Sequence, residues 1–201
     1  MKKLQRTFKK KDYISGDGMV TTIWGPGMWH FLHTTSFNYP INPTDEDKIH
    51  YKSFIENLQY ILPCKYCRQN LKRNLKMMPL TSKVMASRDS FSRYIYNLHE
   101  TVNKLLNKKS GLSYCDVRER YEHFRSRCTQ DSKESMVTPT IKKTRKHINI
   151  NINIKKPEKG CTEPLYGQKA KAVIQIVPKT QVCETLQIDD RCLKEYKHIN
   201  A

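Results

Sequence analysis

The sequence predicts an all-α domain, a four-helix bundle closed by a short fifth helix, over residues 21–128 of a 201-residue chain. Three observations predict it. From Trp24 to Cys128 apolar residues recur at helical spacing, the runs are joined by short polar connections, and proline or a capping residue punctuates each one. The first run puts Trp29, Leu32, His33 and Ser36 on one face and stops at Tyr39-Pro40, because a proline disfavours helix in the residue before it. Thr44 caps a second helix whose first turn is Asp45, Glu46 and Asp47. Tyr51, Phe54, Ile55, Leu58 and Ile61 follow at helical spacing. Pro63 closes that helix and presets a third from Cys64 to about Leu75, stopped by Met77-Met78-Pro79. The fourth runs from Ser87 through Phe91, Ile95, Leu98 and Val102 to Leu106, and the short fifth lies around Cys115 to Arg127.

The flanks read differently. Residues 1–20 form a basic tail, with six basic residues and one acidic among the first twelve. Residues 129–201 form a C-terminal extension of unassigned fold. Ile148, Ile150, Ile152 and Ile154 alternate with asparagines, and Ala172 to Val177 is a second strand-like run, so the extension is expected to be disordered or weakly β. The net charge of +18 is spread along the whole chain. Such a field predicts non-specific attraction to nucleic acid or anionic surfaces, or simply a well-solvated surface. No run approaches the roughly 18 apolar residues of a membrane helix, which excludes that class of membrane span. The basic start lacks an apolar stretch behind it, so no secretory signal is expected and the protein is expected to begin in a cytosol.

Seven cysteines, at 64, 67, 115, 128, 161, 183 and 192, point in that compartment to metal binding or thiol redox work. Cys64-Lys65-Tyr66-Cys67 opens a predicted helix, whose N-terminus stabilises a thiolate, and Lys65 and Arg68 add positive potential. Half a zinc site or two structural thiols would look the same. Zinc, however, needs a second ligand pair, and Cys115 and Cys128 are separated by twelve residues with no close companions. Spacing therefore favours redox work, and no metal is expected. Cys161, Cys183 and Cys192 form no further C-x-x-C and are either electron shuttles or bystanders.

The order WGPGMWHFLH at 24–33, YP at 39–40, LPCKYC at 62–67, LHETVNKLLNKK at 98–109 and a C-x12-C at 115–128 resembles the ALR/Erv-type FAD-linked sulfhydryl oxidases. It looks most like the short forms encoded by large cytoplasmic DNA viruses. The resemblance implies a helical bundle holding FAD, with Cys67 as the flavin-proximal thiolate and Cys64 as the interchange thiol that meets substrate. It further implies flavin contacts at Trp29, His33, His99, Val102, Asn103, Leu106 and Lys108, with Gly25 in the approach and Tyr121 where the family has an aromatic residue. Cys115 and Cys128 resemble the pair that staples the last short helix. Residue patterns agree with a ligand site: Trp29 and His33 share a helical face, as do His99 and Asn103, and Lys104 and Lys108 add donors and charge. Glu100 departs from the family, which usually has asparagine there, and no cysteine precedes Cys64 to form the shuttle disulfide of cellular relatives.

The function so implied is oxidation of dithiols in cysteine-containing proteins, such as virion proteins or a viral redox relay, with electrons passed to O2 to give H2O2. A homodimer and residence in host cytoplasm or virion are implied with it. The alternative is a basic, non-enzymatic virion protein binding zinc or nucleic acid, with a structural C-x-x-C. A thioredoxin-like reductant is disfavoured because the segment before Cys64 reads as helix.

Overall fold

The computed structural model describes residues 8–127, 163–184 and 186–193. These fall into two compact units, one of residues 8–122 with 174–184 and 186, the other of residues 123–127, 163–173 and 187–193. The first unit is helical: α2 (Thr21–Phe37), α3 (Asp45–Ile61), α4 (Lys65–Met77), α5 (Arg88–Leu105) and α6 (Tyr114–Glu122) are the five expected helices, and a further short helix, α1 (Lys10–Tyr13), lies in the segment read as a basic tail.

Local chemistry sets the helix starts. At α3 the Thr44 hydroxyl accepts from the Asp47 amide at 3.1 Å while the Asp47 carboxylate accepts from the Thr44 amide at 2.9 Å. Two of the donors that a helix N-terminus leaves unpaired are thereby satisfied. Ser87 and Ser90 do the same for α5. α2 begins three residues before the expected Trp24 and carries Pro26 inside it. α6 stops at Glu122, short of the expected Arg127, because Ser126–Arg127 is instead strand β1, paired antiparallel with β2 (Glu163–Pro164) in the second unit.

Helix α2 packs chiefly on α5, and α3 on α4. Between them lies a core of Leu32, Ile55, Leu58, Leu71, Phe91 and Ile95, extended by Tyr39, Met85, Tyr94 and Leu98. The buried tyrosines direct their hydroxyls to backbone carbonyls, Tyr39 to Met85 at 2.9 Å and Tyr94 to Met78 at 2.7 Å. Their polar ends are therefore satisfied inside an apolar core. A smaller cluster of Phe37, Tyr114 and Val117, joined by Tyr96 and Tyr121, seats α6.

The strand-like reading of Ala172 to Val177 is corrected: the segment makes no strand, and Val173, Ile174 and Ile176 are exposed. A short apolar run alone does not make a strand where no neighbour offers a ladder. The Ile148–Ile154 run, Cys128 and Cys161 lie outside the described residues. Among the described residues no helix is long and apolar enough to cross a membrane, and no cluster of ligating side chains could hold a metal ion.

Candidate active site

Cys64 is the N-cap of α4, in extended conformation at φ −147°, and its Sγ accepts from the Cys67 amide at 3.3 Å. The sequence enforces this placement. Pro63 cannot continue α3, and the Arg68 guanidinium reaches back to donate to the Leu62 carbonyl at 2.6 Å, fixing the turn that delivers the thiol. Burial by itself would push the Cys64 thiol up. Hydrogen bonds from the Cys67 thiol and amide, the Thr21 hydroxyl and the Tyr66 amide outweigh it and hold Cys64 below the ordinary thiol value. Cys67 goes the other way: burial and the neighbouring Cys64 sulfur push it up, against the Thr21 hydroxyl. In the reduced pair, then, Cys64 is the first to ionise and Cys67 keeps the shared proton.

Two parts of this arrangement were not legible in the sequence. Residues 17–19 lie antiparallel to residues 63–65: the Met19 amide donates to the Pro63 carbonyl at 2.5 Å, and the Lys65 amide to the Asp17 carbonyl at 3.1 Å. Gly18 makes this strap possible at φ +104°, since a Cβ there would collide with the Pro63 carbonyl oxygen. Beyond the strap, the Thr21 hydroxyl at the head of α2 lies 3.5 Å from the Cys67 Sγ. The only local hint is the Gly16-Asp17-Gly18 turn chemistry. Nothing in sequence connects residues 46 apart. Thr21→Val is expected to slow dithiol turnover roughly tenfold and to move its pH midpoint upward, as loss of one charge-assisted hydrogen bond implies. Thr21→Ser should restore both, and a flat response to Thr21→Val would remove the hydroxyl from the chemistry.

Further along α2 stands a cluster of rings. Trp29 and His99 stack at 4.0 Å between centroids and 7° between planes, and Tyr121 stacks on His33 at 5.2 Å. His33 is 4% exposed, its Nε2 lies 3.0 Å from His99 Nδ1, and its own Nδ1 is buried without a partner. Helix α2 thus carries Thr21 at the C-x-x-C and, about 12 Å and 18 Å further along its axis, Trp29 and His33. Asn103 sits one turn beyond His99 on α5 and donates from Nδ2 to the Glu100 carboxylate at 2.9 Å. The acid at position 100 therefore engages a neighbouring site residue.

Lys108 is close enough to lower the His99 pKa by its charge, and its amide donates to the Asn103 carbonyl at 2.8 Å. Val102 is half-buried, Leu106 exposed, and Gly25 buried one turn before Trp29. Cys115 is exposed, and its expected partner Cys128 lies outside the described residues. His30, which the sequence did not single out, has Nδ1 at 3.3 Å from the Tyr121 hydroxyl. A set of flat rings, neutral imidazoles and one unpaired buried nitrogen suits a planar heteroaromatic ligand with polar edges.

Burial, helped by the neighbouring His99 and His30, pushes His33 down to about 3, and burial, opposed by Glu100 and helped by Lys108, pushes His99 down to about 4. The two rings share one hydrogen bond, in which one nitrogen must accept, so protonating both would break it. Below about pH 6.5 the unfolded chain takes up protons that the native rings refuse, and stability falls with pH until the native rings themselves protonate. The ligand-free protein is accordingly expected to lose thermal midpoint steadily from pH 6.5 to about 4. His33→Asn should flatten that slope, and an unchanged slope would contradict the buried neutral pair.

Residues 26–122 match the model of the Erv1 / Alr family. A probable FAD-linked sulfhydryl oxidase of Acanthamoeba polyphaga mimivirus is 39% identical over 99 residues, 49% of this chain and 68% of that protein. An FAD-linked sulfhydryl oxidase of African swine fever virus is 31% identical, over 49% of this chain and 80% of that protein. The solved FAD-binding domain of Erv1 from Saccharomyces cerevisiae aligns at 26% identity and TM-score 0.47, over 51% of this chain and 94% of that one. By the family model and the mimivirus relative, the chain belongs to the Erv1/Alr family.

Proposed function

We propose that the chain is an FAD-linked sulfhydryl oxidase, with Cys64 and Cys67 as its redox pair and residues 21–128 as its catalytic domain. One observation carries the reading: the helix whose first residue touches the Cys67 sulfur also bears Trp29 and His33 of the ring cluster. FAD fits those residues. Trp29, His33, His99 and Tyr121 would flank its flat rings, Asn103 and Lys108 would supply donor and charge, and the buried His33 Nδ1 would gain a partner. Gly25, Val102 and Leu106 complete the proposed cofactor-contacting set.

The thiol chemistry follows from the electrostatics of the pair. A substrate thiolate attacks the Cys64 sulfur of the Cys64–Cys67 disulfide, forming a mixed disulfide and expelling Cys67 as a thiolate. In the reduced pair Cys67 is pushed up by burial and by its neighbour, but once Cys64 is bonded to substrate that neighbour carries no charge. The Thr21 hydroxyl is then free to stabilise the departing Cys67 thiolate. A second substrate thiolate attacks the substrate sulfur of the mixed disulfide, and Cys64 leaves into the hydrogen bonds that favour its ionised form. The substrate has lost two electrons and two protons. Bound FAD would supply the two-electron acceptor that restores the Cys64–Cys67 disulfide and passes the electrons to O2, giving H2O2.

The same reading has Cys115 and Cys128 as a structural disulfide, a homodimer as the working assembly, and cysteine-containing proteins of a virion or a viral relay as substrates. Likeness to two viral proteins supports placing the activity in host cytoplasm or virion. An oxygen electrode with a peroxide assay tests the proposal: dithiothreitol should drive oxygen uptake with one H2O2 per disulfide formed. A protein that consumes no oxygen and binds stoichiometric zinc would favour the structural C-x-x-C instead.

A further inference from the structure

Helix α4 begins at the redox pair and carries five cations, Lys65, Arg68, Lys72, Arg73 and Lys76, and no carboxylate. Its inward side is spoken for by Leu71 and Asn74. Lys65, Arg68, Lys72 and Lys76 follow at intervals of three and four residues, so they form one stripe leading away from Cys64. None of the five is ion-paired with a carboxylate among the described residues. Glu56 lies across the groove from Lys72 and Lys76, but it is paired with Lys52 at 3.8 Å. Hydrogen bonds from Cys67, Thr21 and Tyr66 favour the Cys64 thiolate at the head of the stripe. Around Cys64 the surface is apolar as well: Met19, Val20 and Tyr66 are 72%, 67% and 71% exposed.

We propose that this face is a docking track for an acidic, cysteine-bearing polypeptide, which lays its carboxylates along α4 while its cysteine meets Cys64. Uncompensated charge of one sign beside a reactive thiol recruits partners of the opposite sign. The apolar and aromatic collar suits a polypeptide better than a phosphate backbone. From Lys65 to Lys76 the track is about 16 Å long. An extended chain covers that in about five residues, so the acidic residues should lie within about five positions of the reacting cysteine. The inference rests on the oxidase reading for its substrate but not for its test.

The test uses the full chain with Cys67→Ser, in which Cys64 has lost its partner, and subtracts the rate of Cys64→Ser/Cys67→Ser, which reports the other free thiols, Cys115, Cys183 and Cys192 among them. Three peptides, each carrying one cysteine as its 2-pyridyl disulfide, differ only in having five glutamates, serines or lysines beside it. The Cys64 thiolate attacks the peptide sulfur and releases 2-thiopyridone, which is followed by absorbance and requires no flavin. The glutamate peptide should react about tenfold faster than the serine peptide at low salt, and the advantage should shrink as salt is added. In Lys72→Glu/Lys76→Glu the glutamate-to-serine ratio should fall to within about twofold, and Lys72→Gln/Lys76→Gln should lie between. Equal rates for the three peptides would overturn the proposal, as would a ratio indifferent to positions 72 and 76. If the peptides are equal but a single-stranded oligonucleotide binds and is lost in the charge-reversed variant, the face serves nucleic acid and the proposal also fails. Absent thiol-driven oxygen uptake in the unmodified chain would count against the oxidase reading alone.

Discussion

Cys67→Ser is expected to lower thiol-dependent oxygen uptake about 10³-fold or more, because it removes one half of a two-sulfur unit rather than a helper. Cys64 should stay reactive in that variant. Its sulfur accepts from the residue 67 backbone amide, which serine retains, and the turn that places it is fixed by Pro63 and Arg68. Loss of turnover with intact Cys64 alkylation would place Cys67 on the electron path beyond the thiol that meets substrate. Turnover within tenfold of the unmodified protein would show that another pair carries the electrons, and Cys115, Cys183 and Cys192 would then need testing.

Phe91→Ala is expected to cost about 3–5 kcal/mol of folding stability, a large share of what a domain of this size has. Phe91 is 1% exposed and lies 4.8 Å from the Tyr39 ring and 5.8 Å from the Tyr51 ring, centre to centre. Truncation would leave a cavity among rings whose positions are pinned, Tyr39 by its bond to the Met85 carbonyl, so the site has little freedom to collapse. Urea unfolding of the two proteins measures the difference. A cost under about 1 kcal/mol would mean that α5 is not seated as described.

The order of the longer helices was legible because α3 and α5 carry their own start signals and apolar faces, Thr44 with Asp47, Ser87, and the Phe91-Ile95-Leu98 row, whereas α2, whose N-cap is Val20 with no side-chain cap, started earlier than expected. The C-x-x-C was legible at the same local scale, as was the pairing of Trp29 with His33 on one helix and of His99 with Asn103 on another. Contacts between distant segments were not. Thr21 is an ordinary polar residue until folding brings it to Cys67, and Gly18 reads as a turn glycine until a strap runs past Pro63. Sequence counted Lys65 and Arg68 as thiolate-stabilising charges. In the structure Arg68 also donates to the Leu62 carbonyl, and hydrogen bonds from Cys67, Thr21 and Tyr66 favour the Cys64 thiolate. The strand-like run at Ala172 to Val177 misled because an apolar run does not record whether anything lies against it.

The central claim is that the Cys64–Cys67 pair exchanges electrons with a flavin held by the ring cluster of α2 and α5. It is tested most directly by the visible absorption spectrum of the purified full chain, recorded without oxygen before and after dithiothreitol. Oxidised flavin bands that bleach on adding the dithiol, and that stay unbleached in Cys67→Ser, are the predicted result. A colourless protein, or a bound flavin that bleaches equally well without Cys67, would contradict it.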